Sequence, residues 1–181
     1  MSTLGGNELI NVDIFDKVGI EAGMHVADLG CGNLAYFSFP IAKLVGDDGV
    51  VYAVDILKSV LEAVDNKIKQ VGAENIKTIW SNLEIIGATK IPDENLDVAF
   101  LVNVLFQSEK DDIIIKEAYR LLKPQGKLLI IDWLSTSTPF GPPIKDRPKK
   151  EVLKKYAQDS GLQLIEEFEA GPYHFGLIFI K

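Results

Sequence analysis

Cysteine occurs once, at Cys31, so the chain can form no internal disulfide, and a reducing, cytoplasmic setting is expected. Arginine occurs only as Arg120 and Arg147. Lys and Arg total 19 against 26 Asp and Glu, a formal charge of −7. An acidic, arginine-poor chain is a poor surface for a phosphate backbone, so nucleic acid is not an expected partner. The one basic cluster, Lys145-Asp146-Arg147-Pro148-Lys149-Lys150, reads as a solvated loop and helix start. No apolar run approaches the roughly 18 residues that span a bilayer, so no membrane association is expected. The N-terminus lacks the basic segment and apolar run of a signal peptide. Repeats, low-complexity tracts and linkers are absent, and 181 residues suit one domain over 1–181.

What is present is ordinary for a globular protein, with 47% apolar and 25% charged residues. Residues 1–6 read as frayed, and 8–18 carry a short, imperfect helical pattern. The first strand is predicted at 24–29. Pro40 is harmless in a first helical turn and costly deeper in, so the next helix should begin near Tyr36 or Phe37. Strands follow at 50–54, 76–80, 96–102, 127–131, 162–168 and 173–180. Helices are expected at 57–71, 111–122 and 149–160, the last led in by Asp146 as cap or Pro148 in its first turn. Lys123-Pro124-Gln125-Gly126 reads as a helix stop. Residues 81–95 and 135–148 read as loops, the second a candidate lid. The alternation predicts an α/β fold with a mostly parallel sheet. Glu169-Ala170-Gly171-Pro172 is too short for a crossover, so the last two strands pair antiparallel or lie in different sheets.

The chain is organised around Val26-Ala27-Asp28-Leu29-Gly30-Cys31-Gly32, a buried strand running into a glycine turn. Ligands bind at the carboxyl end of such strands. Two cofactor classes compete. Residues 30–35 satisfy G-x-G-x-x-G/A, the nicotinamide dinucleotide fingerprint. S-adenosylmethionine fits better. Asp28, two residues before Gly30, would repel a pyrophosphate and favour a cationic amine. Pro40 delays the helix whose N-terminus a pyrophosphate needs. Asp55, ending the second strand, suits ribose hydroxyls in either case.

These residues, with Tyr36-Phe37, Val51-Tyr52-Ala53-Val54-Asp55, the strand 96–102 and Leu121-Leu122-Lys123-Pro124-Gln125-Gly126-Lys127, resemble the class I S-adenosylmethionine-dependent methyltransferases. Within that class the chain is similar to the small-molecule group that includes quinone-ring and arsenite methylases. The resemblance covers about residues 24–181. It implies a Rossmann-like seven-stranded sheet, mostly parallel with an antiparallel C-terminal strand, and helices on both faces. It also implies that Gly30, Cys31 and Gly32 pass under the methionine part, that Asp28 orders this loop, and that Asp55 takes the ribose. Ile56 would pack on the adenine, Asn82 would accept from its amine, Leu83 would offer a backbone N–H, and Asn103 would line the methionine end. Leu34 stands where the family usually has a third glycine, and is expected to narrow the pocket or shift the loop.

Methyl transfer from a sulfonium is an in-line displacement that alignment alone can accelerate, so a missing catalytic motif does not exclude an enzyme. The fourth strand runs into Asn103-Val104-Leu105, which disfavours base amino-methylation. No Asp, Glu and His cluster near that strand suggests a metal. One cysteine speaks against arsenite chemistry. A small-molecule acceptor is expected, with Phe106, Trp133, Phe140 and Tyr173 as pocket or packing residues. No catalytic residue is assigned. His174 is a general base or a strand histidine, and Asp132 a base or a polar strand end. Few residues precede the first strand, so the pocket is open or completed by a second subunit of a homodimer. The alternatives are a non-catalytic S-adenosylmethionine-binding or methyltransferase-like partner subunit, and an NAD(P)-binding Rossmann protein.

Overall fold

In the computed structural model the described residues are Ile10, 13–139 and 141–181, so the expectations for residues 1–9 and for Phe140 lie outside them. Helix α1 (Ile14–Val18) precedes strand β1 (His25–Leu29). Then come α2 (Ser38–Val45), β2 (Val50–Asp55), α3 (Lys58–Val71), β3 (Ile76–Trp80) and β4 (Leu96–Val102). The remainder is α4 (Asp111–Leu121), β5 (Leu122–Trp133), α5 (Lys150–Asp159), β6 (Gln163–Glu169) and β7 (His174–Ile180). Among the described residues no helix is long and apolar enough to cross a membrane.

The seven strands form one sheet in the order β3-β2-β1-β4-β5-β7-β6. β1 to β5 pair in parallel, and β7 lies antiparallel between β5 and β6. The last two strands therefore form a hairpin within this sheet. Strand alternation sorts the side chains onto two faces. Val26, Val51, Phe100 and Ile131 pack with Phe15, Ile41, Val45 and Val64 of α1 to α3. Ala27, Leu29, Leu101 and Ile130 pack with Ile115, Ala118, Leu153 and Ala157 of α4 and α5. Each large apolar side chain fully buried there contributes about 1.5–3 kcal/mol. Strand order reverses between β1 and β4, which opens a crevice at their carboxyl ends, where ligands of such sheets bind.

Pro40 is the third residue of α2, within the turn whose N–H groups have no helical acceptor. Gly72 closes α3 in a left-handed conformation. Two local expectations are corrected. Residues 123–126 do not form a separate helix stop, because β5 begins at Leu122, which pairs with Leu96. The chain end holds them in the sheet: Gln125 N–H donates to the Lys181 carbonyl and Lys181 N–H to the Gly126 carbonyl, both at 2.9 Å. Helix α5 has Lys149 at its N-cap with no side-chain cap, so neither Asp146 nor Pro148 leads it in. Asp146 belongs instead to a 3-10 turn, Ile144–Asp146.

Candidate active site

The crevice is built from the segments that follow β1, β2, β3 and β4. After β1 the N–H groups of Gly30 and Cys31 donate to the Val54 carbonyl at 2.8 and 3.0 Å, which folds the loop back over β2. Gly30 takes φ +84°, and a Cβ there would stand 2.5 Å from Val104 Cγ2, so this loop packs directly on the segment after β4. Gly32, at φ +65°, donates its N–H to Asp55 Oδ2 at 3.1 Å. Asp55 Oδ1 accepts from Leu57 N–H at 2.9 Å. One carboxylate thus joins the glycine loop to the start of α3.

These groups enclose a cavity of about 290 Å³ lined by Gly30, Gly32, Asp55, Ile56, Asn82 and Leu83, with Val104 opposite. Asn82 Oδ1 accepts from Glu84 N–H at 2.9 Å, so that oxygen also shapes its own turn. On the cavity wall, Ser108 Oγ donates to Glu84 Oε1 at 2.8 Å, and Lys110 Nζ lies 3.3 Å from Glu84 Oε2. The Ser108 bond, with Lys110 adding, holds the Glu84 carboxyl below its ordinary value. Glu84 and Ser108, both lining residues, escaped the sequence reading because their partnership spans 24 positions and carries no local pattern.

Several expected site residues stand elsewhere. Asp28 is buried behind the loop, where Ser38 Oγ donates to its Oδ2 at 2.6 Å, and it ties β1 to the first residue of α2. Burial pushes its carboxyl up to about 6, against the Ser38 bonds and with the Asp55 charge adding. It lies outside the cavity wall. Cys31 points into the core shared with α2, and burial, with Asp28 and Asp55 adding, pushes its thiol up. Asn103 is buried with φ +56° and lines neither this cavity nor the next; Val104 lines the first in its place. Leu34 does not narrow the cavity. Its side chain is 56% exposed, and its carbonyl accepts from Lys67 Nζ.

A second cavity, of about 440 Å³, shares Gln107 and Ser108 with the first. Phe106, Glu109 and Asp111 line one wall, and Lys145, Asp146 and Arg147 of the 135–148 loop line the other. Phe106 is therefore at a wall. Trp133 is buried instead, under the Arg147 guanidinium at 5.4 Å and 4.2 Å from the His174 ring. Tyr173 is half-buried, and its carbonyl accepts from Leu134 N–H.

Asp132 and His174 are not placed as bases. Asp132 is completely buried. Its Oδ1 accepts from Trp133 N–H, and its Oδ2 from the N–H groups of Leu105 and Phe106 at 3.1 and 3.3 Å, which fixes the 3-10 turn Leu105–Gln107. Burial pushes its carboxyl up to about 7. A raised carboxyl favours the folded state most fully below its ordinary value of 3.8, and that contribution is lost as pH rises through about 7. Relative to Asp132→Asn, the wild-type urea midpoint should therefore fall between about pH 4 and about pH 7. Equal pH dependence in the two proteins would contradict this. His174 is fully buried, and neither ring nitrogen meets a hydrogen-bond partner among the described residues. Burial, with the Arg147 cation adding, pushes it down to about 4, so it is neutral near pH 7.

The sequence reading also missed the support of the 81–95 loop. Buried Glu117 accepts from Gly87 N–H at 2.8 Å and Thr89 N–H at 3.2 Å, and pairs with Arg120, which also reaches Asp93. Burial pushes this carboxyl up, but the bonds from Arg120, Gly87 and Thr89 outweigh it and hold the group below its ordinary value.

Comparison with known proteins bears on the family and the fold. Residues 20–167 match the family described as a methyltransferase domain. A demethylmenaquinone methyltransferase from Lactobacillus johnsonii is 34% identical over 133 residues, 72% of this chain and 51% of that protein. Its counterpart from a Geobacillus strain is 29% identical over 120 residues, 66% of this chain and 50% of that one. The chain thus spans about half the length of the curated relatives it matches. A crystal structure of an S-adenosylmethionine-dependent methyltransferase from Aquifex aeolicus superposes with a TM-score of 0.87 at 26% identity, covering 98% of this chain and 93% of that one. The chain belongs to the methyltransferase-domain family.

Proposed function

We propose that this protein transfers the methyl group of S-adenosylmethionine to a small-molecule acceptor. The observation that carries this reading is how the glycine loop spends its N–H groups. Those of Gly30 and Cys31 go to the Val54 carbonyl and that of Gly32 to Asp55. None of these three N–H groups is left for a diphosphate, and α2 begins only at Ser38. A dinucleotide site needs both the N–H groups and the helix end. What the cavity does offer fits S-adenosylmethionine. The loop backbone is bare of side chains at Gly30 and Gly32, Asp55 suits ribose hydroxyls, Ile56 offers an apolar face, and Asn82 and Leu83 lie beyond it. Bound there, the cofactor would supply a methyl on a sulfonium. The protein's part is alignment and exclusion of water, which can supply roughly 7–11 kcal/mol without a catalytic side chain.

Calorimetry tests the reading. S-adenosylmethionine and S-adenosylhomocysteine are expected to bind with one site per chain, and NADH is not. Tight NADH binding with no S-adenosylmethionine binding would reverse the assignment. Glu84→Ala should speed S-adenosylhomocysteine dissociation by about two- to five-fold, since it removes the Glu84–Ser108 bond on the cavity wall and the partly exposed Lys110 pair behind it. Stopped-flow displacement measures this, and an unchanged rate would show that the pair does not restrain the ligand.

A further inference from the structure

The second cavity differs from the first in what its walls leave unused. Its side-chain donors other than the exposed Lys145 are engaged. Gln107 Nε2 donates to the Asn103 carbonyl at 2.9 Å, and Ser108 Oγ to Glu84. The Arg147 guanidinium donates to the carbonyls of Leu134, Thr136 and Pro142 and to Thr138 Oγ1, at 2.7–2.9 Å. Lys145 faces Asp146 at 3.9 Å. Asp132, behind this wall, has both carboxyl oxygens occupied by backbone N–H groups. Asp111 differs. It lines the cavity, and its Oδ1 is shielded from solvent with no hydrogen-bond partner among the described residues. A shielded carboxyl oxygen without a donor is unfavourable, and a bound N–H relieves it. Burial, with Asp112 adding, pushes this carboxyl up to about 6, so near pH 7 it is mostly an acceptor.

We infer that the second cavity receives a small, water-soluble methyl acceptor bearing an amine, and that Asp111 is the residue that binds the amine N–H. The inference rests on reading the first cavity as the cofactor site, because the shared Gln107 and Ser108 place an occupant of the second cavity beside it. Glu109 and Asp146 add negative charge beside Asp111, against the Lys145 and Arg147 cations, so the walls carry one more acidic than basic side chain, and Arg147 is itself turned to loop carbonyls. A purely apolar ring system seated there would cover these carboxyls without offering them donors, which is unfavourable. The 135–148 loop contributes to selection, because Lys145, Asp146 and Arg147 form the facing wall and Arg147 holds the loop closed on its own carbonyls.

Nuclear magnetic resonance on the full chain saturated with S-adenosylhomocysteine tests this, with ethylammonium, acetate and 1,4-dimethoxynaphthalene, a ring system without a donor, as probes. Ethylammonium is expected to shift the backbone amides of Phe106, Asp111 and Lys145 saturably, and the other two probes are not. In Asp111→Asn the ethylammonium Kd should rise at least about ten-fold, the loss of a charge-assisted bond, while S-adenosylhomocysteine affinity stays within about two-fold. The unchanged ligand affinity reports that the variant is folded. The inference is overturned if ethylammonium leaves these amides unshifted, if dimethoxynaphthalene or acetate occupies the cavity in its place, or if Asp111→Asn binds ethylammonium as wild type does. If S-adenosylhomocysteine itself fails to bind the wild type, the reading of the first cavity falls, and the inference falls with it. If it binds and ethylammonium does not, the inference alone falls.

Discussion

Asp55→Ala is expected to weaken S-adenosylhomocysteine binding by at least about one-hundred-fold in calorimetry. The carboxylate accepts from the N–H groups of Gly32 and Leu57, so it already fixes the shape of the loop. Its remaining lone pairs line the cavity where the ribose is proposed to sit. A hydrogen bond to a charged group contributes roughly 1.5–3 kcal/mol, so two ribose hydroxyls correspond to about 3–6 kcal/mol. At about 1.4 kcal/mol per decade that is two to four orders of magnitude in Kd. Alanine also releases the Gly32 N–H and frees the loop. Asp55→Asn keeps an acceptor without the charge and should fall between wild type and alanine. The melting temperature should move little, because Asp55 is only half-buried and no apolar core is lost. Equal binding by wild type and Asp55→Ala would mean that the cofactor lies elsewhere.

Glu117→Ala should lower the melting temperature by roughly 6–20 °C. Its carboxylate is completely buried between Arg120 and the N–H groups of Gly87 and Thr89. Breaking a buried pair costs about 3–5 kcal/mol; here the Gly87 and Thr89 N–H groups lose their acceptor, and Arg120 keeps only the more exposed Asp93. In a chain of this size each kcal/mol moves the midpoint by about 2–4 °C. The loss should reach the cavity too, since the same loop carries Asn82, Leu83 and Glu84. Glu117→Gln retains an acceptor for the backbone and should destabilise less. Calorimetric melting of the three proteins decides, and a shift below about 3 °C for alanine would show that water replaces the lost partner.

The elements most legible in the sequence were those whose apolar pattern is local and complete. The run 96–102 reads as a strand buried on both faces, and β4 is that strand. Pro40 placed the start of α2 to within a residue or two, because a missing N–H is tolerable only in a first turn. The short connection 169–172 required an antiparallel pair, and β6 and β7 form one. At the site, Gly30, Gly32 and Asp55 are legible because backbone torsion and strand-end position are properties of short segments. Asp28 was expected to order the loop, and its direction was not legible. It turns behind the loop to Ser38, and sequence spacing cannot distinguish the two sides of a strand end.

The chain's sequence alone determined the order of strands and helices, the glycine turn and the acid that ends β2, since these depend on torsions, hydrogen bonds and apolar spacing within a few residues. Only the tertiary structure decided which loops face one another. Glu84 meets Ser108, Glu117 holds Gly87 and Thr89, and Asp132 is sealed beneath Leu105 and Phe106, while Asp111 keeps an oxygen that meets no donor among the described residues. The physical reason is the sheet order. Placing β4 beside β1 brings segments far apart in the chain to one crevice, and side chains there are assigned as partner or ligand site by distances no local pattern encodes.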